Sequence, residues 1–468
     1  RDLVRSRGLG DVYKRQIIFI RKYNKEDIRV GELTVKDTDA RKRLTSLFDD
    51  GIFTEIDAYA KSADGEIEVV AGFGTVCGAP VYAFSQDVTV NSGAVSVAQC
   101  AKIKKIYNLA SKTGCPVVGI YDSKGMNLKE GFEGLNAYGE ILKASTSVSG
   151  VVPQISIVAG AAIGTTALVA NMADIVVAVK DADFYVTAPS EVTAQQCAEE
   201  GTVDIVADDF AGAVDSVKNI ISLLPQNNLS TAPIFDFEEP ALAADTGASA
   251  MDIIVSAADS GSVIEIKSAY AENAKTVLGS VMGSTVGFVA FDGNELCPAC
   301  AYKAEAFVKF CDAFNIPIVT FLNANGLVKE KENQMLIAAT KLTTAYATAT
   351  CPKLSVITGK AVGAAYITLA GRGSNADLVY AWDTSVVSPL DTKAAVAFLF
   401  NERLANGESR ETLEKEYEED MASPFTAAAC GAVDDVFVPA ETRAKIVAAL
   451  DILAGKRETT LPRKHSVK

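Results

Sequence analysis

The chain has 468 residues, 49% hydrophobic and 22% charged, with 59 acidic against 44 basic side chains and a formal charge of −15. At roughly 150 residues per domain this implies two or three domains, each able to bury a core without disulfides or a structural metal. The acidic balance argues against a nucleic-acid partner, which would need a basic face, and leaves room only for a local basic pocket holding a phosphorylated cofactor.

Residues 1–16, RDLVRSRGLGDVYKRQ, are basic, aperiodic and begin without Met, so they read as a non-native segment. Short strands follow at Val69-Val-Ala-Gly-Phe-Gly-Thr-Val and Val81-Tyr-Ala-Phe-Ser. A helix from Ala101 leads through Pro116 into an apolar β-branched run, the pattern of a helix feeding a buried parallel strand. Lys102, Lys104 and Lys105 on that helix form a solvated face or meet a phosphorylated ligand. The strand ends in the loop Asp122-Ser-Lys-Gly, and strand-end loops are where sites sit. Residues 144–173 carry no charge over a length that could span a bilayer. Pro153, Gln154, Gly160, Gly164 and Asn171 divide them instead into a buried strand, a tight turn and a helix. A strand follows Asp174, and a Pro-rich polar linker begins at Pro225.

The same plan then returns. A strand at Thr285-Val-Gly-Phe-Val-Ala-Phe precedes a helix from Ala304 and a strand after Pro317, which lies 201 positions beyond Pro116. The loop Asn323-Ala-Asn-Gly answers Asp122-Ser-Lys-Gly. Pro352-Lys-Leu-Ser-Val-Ile-Thr-Gly matches Pro153-Gln-Ile-Ser-Ile-Val-Ala-Gly, with Gly359 and Gly363 each 199 positions beyond Gly160 and Gly164. Asn375-Ala-Asp opens another apolar strand, in which Trp382 reads as a core residue, and Glu411 to Asp420 reads as a solvated helical face. Strands alternating with crossover helices mean an α/β fold, here duplicated in tandem. The expected divisions are 17–225, a linker and lead-in at 226–262, and 263–468.

Several chemistries are excluded. The one His, His465, stands four residues from the end, so no interior imidazole serves as base, acid or ligand. The nine Cys are odd in number and scattered, which reads as free thiols in a reducing, cytoplasmic setting. Cys297-Pro-Ala-Cys300 is the one close pair, and no second such pair follows to complete a zinc site, so no metal is expected. The recurring glycine turns point to backbone chemistry. A Gly before small residues at a helix start leaves N–H groups pointing outward at the positive end of the helix dipole, which is a cradle for an oxyanion. Gly164-Thr165 and, after Gly363, Ala364-Ala365 are the candidates. Either turn alone is more often tight strand-to-helix packing; recurrence in both halves brings the functional reading level with it.

Several long blocks in order carry a resemblance: ARKRLTSLFDDGIFTEID (40–57), GFGTVCGAPVYAFSQDVTVNSGAVS (72–96), KTGCPVVGIYDSKG (112–125), SGVVPQISIVAG (149–160), KAEAFVKFCDAFNIPIVT (303–320) and ATATCPKLSVITGKAVGAAYITLAGR (347–372). They resemble the carboxyltransferase subunits of biotin-dependent acyl-CoA carboxylases and decarboxylases, nearly throughout from Ala40 onward. The resemblance implies two tandem crotonase-like domains of the ClpP/crotonase superfamily, built from repeated ββα units. It implies carboxyl transfer between carboxybiotin and the α-carbon of a short acyl-CoA such as acetyl- or propionyl-CoA. The first turn (Gly164, Thr165) would hold the thioester oxygen and the second (Ala364, Ala365) the biotin ureido oxygen, with Lys124, Gly125, Gly160, Gly363, Tyr366 and Ile367 bordering the substrates. Since no biotinylation motif occurs in the chain, the biotin would arrive on a separate carrier protein.

The implied partners are that carrier, a biotin carboxylase or a membrane decarboxylase subunit, and a second copy of the chain in a dimer or hexamer with the site at the subunit interface. The chain departs from the family pattern in Lys124 and Asn127, which replace a Gly and an Arg, in Thr165, which crowds the first cradle, and in Ala364, Ile367 and the loop at Asn323. These departures leave open a non-catalytic scaffold subunit, or a sodium-pumping decarboxylase running the same transfer in reverse.

Overall fold

The computed structural model describes residues 37–187, 192–369, 371–373 and 376–458. Residues 1–16, Asn375 and His465 lie outside them, and Asp39–Lys468 form one compact unit.

Apolar β-branched runs form two sheets of eight strands each. The first contains β1 (Phe53–Glu55), β2 (Val69–Val76), β3 (Ala79–Gln86), β4 (Val117–Ser123), β5 (Gln154–Ile163), β6 (Ile175–Val179), β7 (Asp183–Tyr185) and β8 (Ile205–Ala207), ordered β1-β2-β3-β4-β5-β6-β8 with β7 also beside β5. The second repeats this with β9 (Ile264–Ile266), β10 (Ala274–Val281), β11 (Ser284–Phe291), β12 (Ile318–Ala324), β13 (Lys353–Val362), β14 (Leu378–Trp382), β15 (Val386–Ser388) and β16 (Asp435–Phe437). In both, the first three strands are antiparallel and the rest parallel.

Parallel neighbours need crossovers, and these are helical. In the first half they are α1 (Val97–Thr113) and α2 (Gly131–Val148), and the short α3 (Thr165–Ala170) follows β5; α4 (Phe210–Leu223) comes after the sheet. The second half has α5 (Pro298–Ala313), α6 (Glu332–Thr348) and, after β13, the short α7 (Ala364–Leu369). The uncharged stretch 144–173 is therefore the end of α2, β5, a turn and α3. Among the described residues no helix is long and apolar enough to cross a membrane.

One apolar cluster runs from Val118, Ile157 and Val177 in the first sheet through Val217 and Ile221 of α4 to Phe307 and Cys311 of α5 and Leu342 of α6. It joins the halves into one body. Trp382 is a core residue, its Nε1 donating to Thr442 Oγ1 at 2.9 Å. Lys102 departs from the solvated-face expectation. It is buried and donates from Nζ to the Val69 carbonyl at 2.8 Å, so burial lowers its pKa, while Lys104 and Lys105 pair with Glu140 and Asp57. Its repeat counterpart Lys303 does likewise toward the Tyr270 carbonyl, and burial brings it down to about 8.

Candidate active site at two strand-to-helix turns

Each turn is built from a parallel strand that bulges before it ends. On β4 the step from Tyr121 to Ser123 spans Val158 to Ala162 on β5; on β12 the step from Leu322 to Ala324 spans Ile357 to Ala361 on β13. Asp122 and Asn323 sit within these steps. Asp122 Oδ1 accepts the Ala161 N–H at 3.1 Å, and Asn323 Oδ1 accepts the Lys360 N–H at 2.9 Å. A Cβ on Gly160 would stand 2.9 Å from Asp122 Cγ, and one on Gly359 would stand 2.9 Å from Asn323 Nδ2, so both positions require glycine. Gly160 thus lies against the bulge that carries the turn. Asp122 is nearly buried, and Arg43 meets its other oxygen at 2.5 Å, a charge-assisted contact across the sheet end.

The turns themselves are at Gly164 (φ 64°) and Gly363 (φ 55°), a left-handed geometry that L side chains resist. Their N–H groups are already engaged: Gly164 donates to the Tyr185 carbonyl at 2.9 Å and Gly363 to the Ser388 carbonyl at 2.8 Å. Gly164 is accordingly a conformational residue of the turn, with its donor committed elsewhere. The donors left facing forward by helix geometry are the first N–H groups of α3 and α7, at Thr165-Thr166 and Ala364-Ala365. Among the described residues nothing stands within 4 Å of the position a Gly164 Cβ would take.

The far ends of the two short helices are tied down alike. Ser156 Oγ donates to the Ala170 carbonyl at 2.7 Å and Ser355 Oγ to the Leu369 carbonyl at 2.9 Å. Each serine is two residues into the strand that delivers the turn, so strand and helix move together.

Around the first turn, Thr165's hydroxyl is buried with no hydrogen-bond partner among the described residues, while Thr166 Oγ1 lies 2.9 Å from Tyr138 Oη and 3.3 Å from Ser123 Oγ. Gly125 (φ 111°) faces the Ile163 carbonyl, which brings the Lys124-Gly125 loop against the residue before Gly164, with Lys124 exposed. Around the second, Ala364 is exposed and Ala365 buried. Tyr366 Oη donates to the Ala432 carbonyl at 2.8 Å. Tyr366 and the exposed Ile367 line an open cavity of about 620 Å³ with Gly371, Arg372 and Cys430. Lys124, Gly125, Gly160, Gly164 and Thr165 therefore gather at the end of one sheet, and Gly363, Ala364, Ala365, Tyr366 and Ile367 at the end of the other. The Arg43–Asp122 pair and the two serine ties were missed by sequence reading. The shared Ser in Pro153-Gln-Ile-Ser and Pro352-Lys-Leu-Ser was the available signal for the ties.

Two α/β halves of one topology, each closing a bulged parallel strand with a glycine turn under a short helix, define a tandem crotonase-like protein. A family model of the carboxyl transferase domain matches residues 36–467. The chain is 33% identical to the alpha subunit of methylmalonyl-CoA decarboxylase from Veillonella parvula, over 91% of this chain and 92% of that one. It is 33% identical to the propionyl-CoA carboxylase beta chain of Saccharopolyspora erythraea, over 98% and 95%. The crystal structure of the transcarboxylase 12S hexamer, with methylmalonyl-coenzyme A and methylmalonic acid bound, superposes with a TM-score of 0.85 at 33% identity, covering 91% of each chain. The chain belongs to the carboxyl transferase family.

Proposed function

We propose that the chain is the carboxyltransferase component of a biotin-dependent acyl-CoA carboxylase, moving a carboxyl group between carboxybiotin on a carrier protein and the α-carbon of acetyl- or propionyl-CoA. The observation that carries this is the doubled turn: two sets of helix-head N–H groups, left without intrahelical partners by helix geometry and held by the same bulge, glycine and serine tie in each half. One such cradle suits an acyl transfer; two suit a reaction with a carbonyl oxygen on each partner. The N–H groups of Thr165 and Thr166 would hold the thioester oxygen and those of Ala364 and Ala365 the biotin ureido oxygen, with Gly164 and Gly363 fixing the turns. Lys124 and Gly125 would border the CoA thioester, Gly160 would hold the bulge behind it, and Tyr366 and Ile367 would border the biotin side. Each donor is worth about 2.7–4 kcal/mol where charge develops.

The halves at 17–225 and 263–468, with 226–262 between them, are the units of this reading. Exposed Leu168 on α3 and Ile367 on α7, with Phe132 on α2 and Leu336 and Ile337 on α6, support association with a second copy that brings the first-half turn of one chain to the second-half turn of the other. The level of identity to a decarboxylase alpha subunit equals that to a carboxylase beta chain, so a decarboxylase complex running the transfer in reverse is the second reading. The test is transfer from methylmalonyl- or malonyl-CoA to free biotin by the purified chain. Turnover supports the proposal, and CoA binding without turnover overturns it in favour of a scaffold subunit.

A further inference from the structure

The pair Cys297-Pro-Ala-Cys300 has no part in the chemistry above, and its geometry is that of a reactive thiol and a partner poised to trap it. Cys297 is the N-cap of α5 and half-buried; its Sγ accepts the Cys300 backbone N–H at 3.2 Å and lies 2.8 Å from the Cys300 Sγ. Cys300 is buried, at 2% exposure. Pro298 fixes the first helical turn, so the two sulfurs are held together by backbone that is already in place. A disulfide requires the sulfurs to close to about 2.05 Å, a shift of well under 1 Å from their present separation. The hydrogen bond from the Cys300 thiol, followed by backbone N–H groups at the helix start, brings Cys297 down to about 6 against the opposing effect of burial, whereas Cys300 is pushed up. Lys303 and Tyr270 are the titratable groups beside the pair.

The repeat supplies an internal control. The first half carries Ser96 and Gln99 at the positions 201 residues earlier, with Ser96 as the N-cap of α1. The helix start therefore forms without sulfur, and neither thiol is needed for capping. The pair also sits beside the second turn's support: Leu296 donates to the Gly326 carbonyl at 2.9 Å and accepts from Val328 at 3.1 Å, in the loop that begins at Asn323.

We infer that Cys297 and Cys300 form a reversible oxidation site, in which Cys297 is the attacking thiolate and Cys300 the resolving thiol, with a peroxide as the oxidant. The Cys297 thiolate attacks one peroxide oxygen; the S–O bond forms, the O–O bond breaks, and hydroxide leaves and is protonated to water. The Cys300 thiol then gives up its proton and attacks the Cys297 sulfur. The S–S bond forms, the S–O bond breaks, and a second water leaves. Two thiols are oxidised by two electrons and one peroxide is reduced to two waters. A dithiol reductant reverses the bridge.

The experiment uses the full chain. At pH 6 a thiol with a pKa of about 6 is half ionised against roughly 0.3% for an ordinary cysteine, and the lower intrinsic nucleophilicity takes back about 13-fold of that. Cys297 is therefore expected to alkylate with iodoacetamide about tenfold faster than an unstructured cysteine-containing reference peptide, and ahead of exposed Cys77, whose thiol burial pushes up, as read by peptide mass spectrometry. Stoichiometric hydrogen peroxide should yield an internal Cys297–Cys300 bridge that dithiothreitol removes. Cys300→Ser should instead leave a sulfenic acid on Cys297 that dimedone traps. Cys297→Ser, which keeps a good N-cap, should lose both products while the fold persists. Alkylation of Cys297 no faster than the reference peptide, or peroxide consumed with the pair unbridged, would overturn the inference.

Discussion

Gly160 is where a single methyl group tests how the first turn is held. In Gly160→Ala the new Cβ overlaps Asp122 Oδ1 and stands 2.9 Å from its Cγ. The carboxylate cannot swing aside freely, since Arg43 meets it at 2.5 Å and it accepts the Ala161 N–H at 3.1 Å. Either the charge-assisted bond to Ala161 breaks, at about 1.5–3 kcal/mol, or the bulge shifts against packed neighbours at about 1–3 kcal/mol. We expect a destabilisation of about 3 kcal/mol. A displacement of about 1 Å carried to the turn would also lower carboxyl transfer by about 100-fold. A double-mutant cycle isolates the cause. In an Asp122→Ala background the clash partner is gone, so Gly160→Ala should add little further loss in thermal or urea unfolding. Equal costs in both backgrounds would refute this explanation of why glycine stands there.

Three further outcomes follow from the same geometry. Ser156→Ala and Ser355→Ala each leave a helix-end carbonyl without its buried donor, at about 1–3 kcal/mol; on the proposed roles Ser156→Ala raises KM for acyl-CoA and Ser355→Ala raises KM for biotin, as steady-state kinetics would read. Gly164→Ala should cost about 1–3 kcal/mol from its backbone conformation alone, and Gly363→Ala more, because its Cβ also comes within 3.2 Å of the Pro389 carbonyl; paired unfolding curves check the order. Burial pushes the Asp174 carboxyl up to about 7, whereas its counterpart Asp377 has Lys456 at 2.9 Å. With the folded value above the unfolded one near 3.9, Asp174's contribution is full below pH 4 and is lost as pH rises through 7. Asp174→Asn should therefore be more stable than the parent by about 4 kcal/mol at pH 8, with the difference vanishing toward pH 4.

The duplication and both turns were legible because glycine, proline and apolar runs recur at spacings of 199 and 201, and such punctuation reflects local backbone needs. Contacts made between distant segments were not. Arg43 reaches Asp122 from a helix 79 positions away, and nothing in either local pattern announces it. Gly164 illustrates a different limit. Its place in the turn is readable, but whether its N–H faces a ligand or the Tyr185 carbonyl depends on where β7 returns beside β5. Lys102 looked solvated because lysine normally is. Only the matching Lys303 at the repeat position hinted that both reach back to a backbone carbonyl, of Val69 in one half and Tyr270 in the other.

The most direct test of two backbone cradles removes one N–H from each without disturbing its turn. Thr165 and Ala364 are first helical positions, where proline is accommodated, and Gly164 before the first proline is outside the helical region that proline disfavours. Carboxyl transfer from methylmalonyl-CoA to biotin should be measured for the parent, Thr165→Pro and Ala364→Pro, with folding checked by circular dichroism. The account predicts folded variants that each lose about 100-fold or more in rate. Parent-like rates in either folded variant would contradict it.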